Sequence, residues 1–192
     1  MAAYDAGVRL FGENRVQEFA GKIDTVRHLS GAEWHMIGHL QSNKASKAAE
    51  LFWGIDSVDS LHLAEKLDAA VAKLNRRLPV LIEINLGGES AKSGLAPGSP
   101  DLESLLQAGT RLLHLEIRGL MTIPPFSDDP QQARPYFRRL RELRDEIAAR
   151  QLPGVGMQVL SMGMSHDFEV AIEEGSTCVR VGTAIFGDRS KP

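Results

Sequence analysis

The sequence contains little of what a disulfide, a membrane span or a nucleic-acid surface would require. Its single cysteine, Cys178, excludes a disulfide within the chain and is typical of a reducing compartment. No apolar run approaches the roughly 20 residues of a membrane helix, and no basic-then-apolar leader opens the chain. With 22 basic and 25 acidic residues, the net charge of −3 gives no general attraction to nucleic acid. We therefore expect a cytoplasmic, soluble protein with no membrane or nucleic-acid partner.

What the sequence does contain is a regular alternation of short apolar runs with longer helical patterns. The apolar runs predict strands at 8–11, 34–38, 52–58, 79–86, 115–123, 157–162 and 178–182. Helical periodicity predicts helices at 14–28, 41–51, 60–76, 100–113, 130–150 and 166–174. Strands that are joined by helices pair in parallel with right-handed crossovers. Because no Ser- or Pro-rich linker divides the chain, we expect one domain over residues 1–192.

The number of strands bears on the fold class. A TIM-type (β/α)8 barrel needs eight strands, whereas an open doubly wound sheet tolerates any number. The chain begins with MAAYDAG, which is typical of the end of a helix that has no strand before it. Seven strands and this helix end indicate an α/β barrel without its first strand, although periodicity does not separate it from the open sheet. Such a barrel would have two unpaired strand edges, which favour aggregation or dimerisation.

In both architectures ligands bind at the carboxyl ends of the parallel strands, and two of these ends are rich in small polar residues. Ser161, Gly163 and Ser165 precede the helical segment DFEVAIEEG, and Gly182 with Thr183 precedes AIFG. Unpaired N–H groups at a helix start suit an anion, which Gly and Ser allow to approach closely. The two segments therefore predict either a phosphate cup or a pair of ordinary strand-to-helix turns.

Arg180 is a cation inside the apolar stretch CVRVGTAIF. Burying an unpaired guanidinium is costly, so it needs a partner. Strand alternation places Cys178, Arg180 and Gly182 on one face. The residues leave two explanations open: an ion pair with a carboxylate such as Glu83, or contact with a ligand.

Other chemistries are less well supported. His35 and His39 are four apart on a strand and its exit, which is not the helical spacing of a zinc site. No GxSxG elbow is present for a Ser-His-Asp triad. Glu13 and Glu83 at strand ends could form a carboxylate pair, although Glu13 could equally make a local ion pair. The arginines of segment 130–150 predict an ion-paired helix face rather than a nucleic-acid surface.

Several segments together resemble the pyridoxal phosphate homeostasis protein family, whose members are small barrels that bind pyridoxal 5′-phosphate (PLP) and are similar to the N-terminal domain of alanine racemase. The segments are FGENRVQE (11–18), WHMIGHLQSNK (34–44), INLGGESAKSGL (84–95), RGLMTIP (118–124) and LSMGMSHDFEVAIEEGSTCVRVGTAIFG (160–187). The resemblance implies a (β/α)8 barrel with one PLP at the carboxyl ends of the strands.

The resemblance also implies roles for particular residues. The phosphate would be bound by Ser161, Ser165, Gly182 and Thr183, with Gly163 and Met164 alongside. Arg180 would face the pyridine nitrogen and keep it unprotonated, which weakens PLP as an electron sink. Asn14 would face the ring or its hydroxyl, and Met36 with His35 would form part of the wall.

The sequence departs from the family pattern at one position. The family's Schiff-base lysine lies on the first strand, and no residue of this chain matches it. Lys44 and Lys92 lie in loops at strand ends, but nothing in the sequence indicates that either reaches C4′ of PLP. Binding through the phosphate cup and ring contacts alone would be weaker.

We expect a protein that carries or buffers PLP without turnover, with apo PLP-dependent enzymes as the partners that the resemblance implies. It also implies a monomer, although open strand edges would favour association. One alternative is an amino-acid racemase-like PLP enzyme. It would need a second base, usually a tyrosine from an additional domain, and this chain has only Tyr4 and Tyr136. The others are a barrel enzyme that acts on another phosphorylated small molecule, and a fragment with no function of its own.

Overall fold

The structure is a computed structural model that describes residues 2–88 and 93–187. Its seven strands form one parallel sheet, in which the spatial order follows the order along the chain. The strands are β1 (Leu10–Glu13), β2 (Glu33–Met36), β3 (Gly54–Val58), β4 (Leu78–Glu83), β5 (Leu115–Met121), β6 (Val155–Met164) and β7 (Cys178–Arg180). Each of them overlaps a strand that the apolar runs predict.

Helices lie before, between and after these strands. They are α1 (Ala2–Asp5), α2 (Val16–Val26), α3 (Ala45–Leu51), α4 (Leu61–Ala72), α5 (Pro100–Gln107), α6 (Arg134–Ala149), α7 (Phe168–Glu173) and α8 (Thr183–Phe186). Short 3-10 helices at Ser42–Lys44, Ala108–Thr110 and Pro130–Ala133 adjoin α3, α5 and α6. Within the described part of the chain, no helix has both the length and the apolar character needed to cross a bilayer.

The sheet curls into a nearly closed barrel. A single cavity of about 470 Å³ is lined by residues from all seven strands, including Leu10 of β1, Leu81 of β4 and Cys178 of β7. An open sheet cannot place its two outer strands and its central strand around one cavity. The barrel prediction is therefore confirmed, and the open doubly wound sheet is wrong. In the described ranges β1 and β7 each pair with one strand only, so both are sheet edges.

The two faces of the sheet differ in character. On the outer face Trp34 stacks on Phe11 with ring centroids 4.7 Å apart, and Phe19 of α2 packs on the same indole at 5.0 Å. On the inner face His35 and Asp56 line the central cavity. The main apolar core thus lies between the sheet and the helices, while the barrel interior combines polar side chains with apolar ones such as Leu81.

The arginine-rich helix α6 shows how the outer layer is held. Its apolar stripe is buried and consists of Phe137, Leu140, Leu143 and Ile147. On its polar side Arg134, Arg138 and Arg141 all pair with the carboxylate of Glu174, at 3.0, 3.0 and 3.2 Å. These contacts confirm the predicted ion-paired face and attach the end of α7 to α6.

Candidate functional site

The structure brings the ends of β6 and β7 together. The Ser165 hydroxyl, which follows β6, accepts hydrogen bonds from the backbone N–H groups of Gly182 at 3.0 Å and Ala184 at 3.3 Å. Gly182 is exposed, and a Cβ atom added to it would meet nothing within 4 Å. Thr183 begins α8 and is also exposed. The two segments predicted to form a phosphate cup therefore lie side by side at an open surface, where Ser165 accepts from the N–H groups of Gly182 and Ala184.

Gly163 and Met164 lie beside this surface but have local structural partners. Gly163 has φ +93°, and a Cβ atom there would lie 2.5 Å from the Cβ of Ala171. This glycine lets the end of β6 pack tightly on α7. The Met164 N–H donates to Asp167 Oδ1 at 2.6 Å, so it is already satisfied. The N–H groups of the β7–α8 turn are bonded as well, but to the Ser165 hydroxyl at the open surface.

Ser161 lies deeper than the open surface and holds Arg180. Its side chain is fully buried, and its hydroxyl accepts a hydrogen bond from Arg180 Nη1 at 2.7 Å. Arg180 Nη2 donates to the backbone carbonyl of Thr122, also at 2.7 Å. Neither partner carries a charge. Ser161 therefore orients the arginine, whereas Ser165 lies at the opening.

The guanidinium of Arg180 has no carboxylate within 4.0 Å among the residues that the structure describes. The ion pair with Glu83 that the sequence left open is therefore not formed. Burial lowers the pKa of Arg180, and the negative charge of Asp56 opposes this effect. An arginine nevertheless stays protonated in proteins, so the barrel interior holds a positive charge without a directly bound counterion.

The residues predicted for the ring wall are divided between two places. Asn14 and Met36 line a pocket of about 270 Å³ together with Lys44. Met36 is 1% exposed and packs in the core between the sheet and the helices. His35 points into the barrel, where its Nδ1 lies 2.8 Å from Asp56 Oδ1. The structure thus does not bring His35 and Met36 to one surface.

The two candidate carboxylates are not brought together either. Glu13 pairs with Lys22 of α2, as the local interpretation predicted. Glu83 is the last residue of β4, and only 5% of it is exposed. Its Oε1 accepts a hydrogen bond from the Ser93 hydroxyl at 2.7 Å. Of the two loop lysines, Lys92 lies outside the described residues.

The two histidines near the end of β2, His35 and His39, contact different aspartates. His35 contacts Asp56, and His39 Nδ1 lies 3.1 Å from Asp59 Oδ2. Among residues 2–88 and 93–187, no three His, Cys, Asp or Glu side chains form a group that could hold a metal ion. Cys178 is half-buried, and burial, with a further contribution from Asp56, raises the pKa of its thiol. A thiol of this kind is a poor nucleophile at neutral pH.

Sequence reasoning did not single out Asp56, Thr122 or Asp167, although all three support the site. Asp56 could have been found, since it interrupts the buried run FWGIDSV as Arg180 interrupts CVRV. Thr122 contributes its carbonyl to Arg180, and its hydroxyl donates to the carbonyl of Ile84 at 2.7 Å. No side-chain pattern reveals a backbone carbonyl as a partner.

A nearly closed parallel barrel with a polar site at its carboxyl end is the architecture of the alanine racemase N-terminal domain, and the family model of that domain matches residues 1–190. An alanine racemase from Clostridium difficile 630 has the same fold, with a TM-score of 0.74 over 98% of this chain and 47% of that chain, but only 15% identity.

Other relatives are much closer in sequence. The pyridoxal phosphate homeostasis protein of Aquifex aeolicus is 47% identical over 186 residues, which cover 97% of this chain and 79% of the relative. The Pseudomonas aeruginosa protein of the same name is 43% identical over 97% of this chain and 77% of its own length. PipY of Synechococcus elongatus PCC7942, solved with PLP bound, has 41% identity and a TM-score of 0.87 over 97% of this chain and 85% of that chain. The chain belongs to the pyridoxal phosphate homeostasis protein family.

Proposed function

We propose that this chain binds PLP at the carboxyl end of its barrel and carries or buffers it in the cytoplasm without turning over a substrate. The observation that carries the proposal is the juxtaposition of Ser165 with the N–H groups of Gly182 and Ala184, beside Arg180. Two relatives are named for PLP homeostasis, and PipY was solved with PLP bound. Apo PLP-dependent enzymes are the proposed recipients.

The residues at this end of the barrel fit the chemistry of PLP. An open turn with N–H and hydroxyl donors suits a phosphate. In the proposed site Ser165 and Thr183 donate their hydroxyl protons to phosphate oxygens. The N–H groups of Gly182 and Ala184, which donate to the Ser165 hydroxyl in the structure, would turn to the phosphate when it binds. When bound, PLP supplies a reactive aldehyde and an electron-withdrawing ring.

In the proposed site, the charge of Arg180 disfavours catalytic turnover of an amino acid by bound PLP. Its partners Ser161 and Thr122 are neutral, so its charge is available to the ligand ring. A permanent cation that faces the pyridine nitrogen disfavours protonation of that nitrogen, and the ring then withdraws electrons less strongly. The site would hold the aldehyde without activating an amino acid.

The position of Tyr4 argues against a role as the second base of a racemase. Tyr4 lies on α1 and its hydroxyl donates to the carbonyl of Ser30 at 2.8 Å. Tyr136 lies near the start of α6, in the outer layer of helices. Tyr4 precedes β1 and is not placed at the carboxyl ends of the strands, where a second base would act.

An absorbance titration of the chain with PLP tests the proposal. We expect a saturable spectral change that free phosphate weakens and that a sugar phosphate such as ribose 5-phosphate does not outcompete. Borohydride reduction and peptide mass mapping then show whether PLP is linked to a lysine such as Lys44 or is held reversibly. Absence of any spectral change, or preference for the sugar phosphate, would contradict the proposal.

A further inference from the structure

Glu83 presents a buried carboxyl group that the proposed function does not yet use. It is 5% exposed, and Oε1 accepts a hydrogen bond from the Ser93 hydroxyl at 2.7 Å. Its other oxygen, Oε2, is buried and has no hydrogen-bond partner among the described residues. Buried polar atoms are nearly always paired, so an orphaned one indicates a missing partner.

The surroundings of Glu83 favour its neutral form. In the described part of the chain, no Lys, Arg or His nitrogen pairs with it within 4.0 Å. Burial raises the pKa of Glu83, and the nearby carboxylate of Asp59 raises it further. The Ser93 hydrogen bond and the positive fields of His39 and Arg180 oppose these effects without cancelling them. A protonated carboxyl group has one O–H to donate.

The strand register and the hydrogen bond of Ser161 place Glu83 at the level of the guanidinium of Arg180. Glu83 is level with Met121 of β5, which is level with Ser161 of β6. Ser161 in turn accepts a hydrogen bond from Arg180. On β7 the residue level with Ser161 is Cys178, whereas Arg180 is level with Met164, so it is the guanidinium of Arg180 that reaches back to the level of Glu83.

We propose that Glu83 is a positioning residue of the ligand site, which acts in its protonated form and donates a hydrogen bond from Oε2 to an oxygen carried on the ring of the ligand. This inference rests on the proposed function, in which the ligand is PLP. PLP carries a phenolic and an aldehyde oxygen on its ring. The phosphate is assigned to the ends of β6 and β7, so the ring oxygens remain for the residue at the end of β4.

Two substitutions of Glu83 distinguish the effect of its hydrogen-bond donor from the effect of its negative charge. Glu83→Gln retains an uncharged group of the same shape, which can accept from Ser93 and donate through its amide. At pH values below the raised pKa of Glu83, we expect its affinity for PLP to stay within about twofold of the wild type. Glu83→Ala removes the donor, and we expect the affinity to fall about tenfold, as for one lost hydrogen bond. Absorbance titration measures both.

The pH profile provides a readout that a purely structural role would not move. When pH rises through the raised pKa of Glu83, the wild type loses the donor and gains a negative charge beside the ring oxygen, so its affinity for PLP falls. Glu83→Gln should not show this fall in affinity. Any pH dependence that comes from PLP, His39 or Asp59 is present in both proteins and cancels in the comparison. Asp59→Asn removes a neighbouring negative charge, so it should move the fall in affinity to lower pH.

The outcomes distinguish this inference from the proposed function. If the wild type binds PLP but Glu83→Gln shows the same loss as Glu83→Ala, or the same pH profile as the wild type, the role of Glu83 is overturned and PLP binding stands. If the wild type does not bind PLP at any pH, both proposals are overturned. Circular dichroism of each variant confirms that an altered affinity does not come from unfolding.

Discussion

Arg180 donates to the fully buried hydroxyl of Ser161 at 2.7 Å, across two neighbouring strands of the barrel. Its second contact, to the carbonyl of Thr122, is also neutral. The protein thus fixes the direction of the guanidinium with two hydrogen bonds but does not neutralise it. A charge that is held in place by neutral partners, with no carboxylate within 4.0 Å in the described part of the chain, suits a group that arrives with the ligand. The arrangement gives Arg180 and Ser161 different functions.

Replacing Arg180 by alanine should weaken PLP binding by about ten- to hundredfold, since hydrogen bonds that involve a charged group contribute more than neutral ones. The absorption of bound PLP should also shift, because the charge beside the ring is lost. Arg118→Ala is a matched control, since Arg118 is an exposed residue of β5 that pairs with Glu116. Unchanged affinity and an unchanged spectrum in Arg180→Ala would show that this residue does not face the ligand.

Ser161→Ala should act through Arg180 alone. The variant loses one of the two contacts that orient the guanidinium, so we expect a loss of PLP affinity of severalfold, smaller than that of Arg180→Ala. The measurement is a double-mutant comparison. In the background of Arg180→Ala, the Ser161→Ala change should have no further effect on affinity. A full additive loss would instead indicate that Ser161 binds the phosphate itself.

The double variant Ser165→Ala, Thr183→Ala should bind the phosphate group of PLP more weakly. We expect about a tenfold or larger loss of affinity for PLP and little change for pyridoxal, which lacks the phosphate. Titrating both ligands against both proteins measures this difference. Ser104→Ala removes an exposed hydroxyl of α5 that donates to the carbonyl of Pro100, and it should leave both affinities unchanged. Equal losses for the two ligands in the double variant would place the phosphate elsewhere.

Two glycines of the candidate site should respond to substitution in opposite ways. Gly163→Ala combines a φ of +93° with a methyl group 2.5 Å from Ala171, so we expect a loss of at least about 1–3 kcal/mol of unfolding free energy. Gly182→Ala has φ −114° and open space around the methyl group, so its stability should stay within about 1 kcal/mol of the wild type. Its PLP affinity should fall, because the methyl group stands where the phosphate would approach. Urea unfolding and PLP titration of both variants test this contrast.

The secondary structure and the location of the site could be predicted from the sequence because they depend on local signals. Burial of the apolar runs and the helical spacing between them fix each element, and the parallel arrangement fixes which strand ends meet. Closure into a barrel could not be predicted from periodicity, since the same runs suit an open sheet. It depends on the curvature of the whole sheet, which brings β1 and β7 to one cavity.

The roles within the site were harder to predict, for two physical reasons. In β2 neighbouring residues point to opposite faces, so the structure places His35 and Met36 on different surfaces, and their roles toward the ligand stay predictions. Near the end of β6 the register shifts between Ser161 and Met164, and strict alternation no longer applies. The contact of Arg180 with the carbonyl of Thr122 spans 58 residues and leaves no trace in the sequence pattern.

The carboxylate of Glu174 should make the stability of the barrel depend on pH in the acid range. Hydrogen bonds from Arg138 and Arg134, and the charges of Arg138 and Arg141, lower its pKa below the ordinary value for glutamate. A depressed pKa in the folded state means that the stabilisation is present at pH values above the pKa of the unfolded chain, and that it is lost as pH falls through the folded-state pKa.

Glu174→Gln should therefore lower the thermal midpoint at neutral pH by about 2–4 °C or more, and the difference from the wild type should shrink as pH falls below about 4. Glu173→Gln is a matched control, because Glu173 is exposed and, among the described residues, forms an ion pair with Arg134 alone. Its effect at neutral pH should be smaller, as for other surface pairs. Thermal unfolding of the three proteins between pH 3 and 8 measures both differences. A gap between Glu174→Gln and the wild type that persisted unchanged at the lowest pH would mean that Glu174 stabilises the α6–α7 contact through packing rather than through its charge.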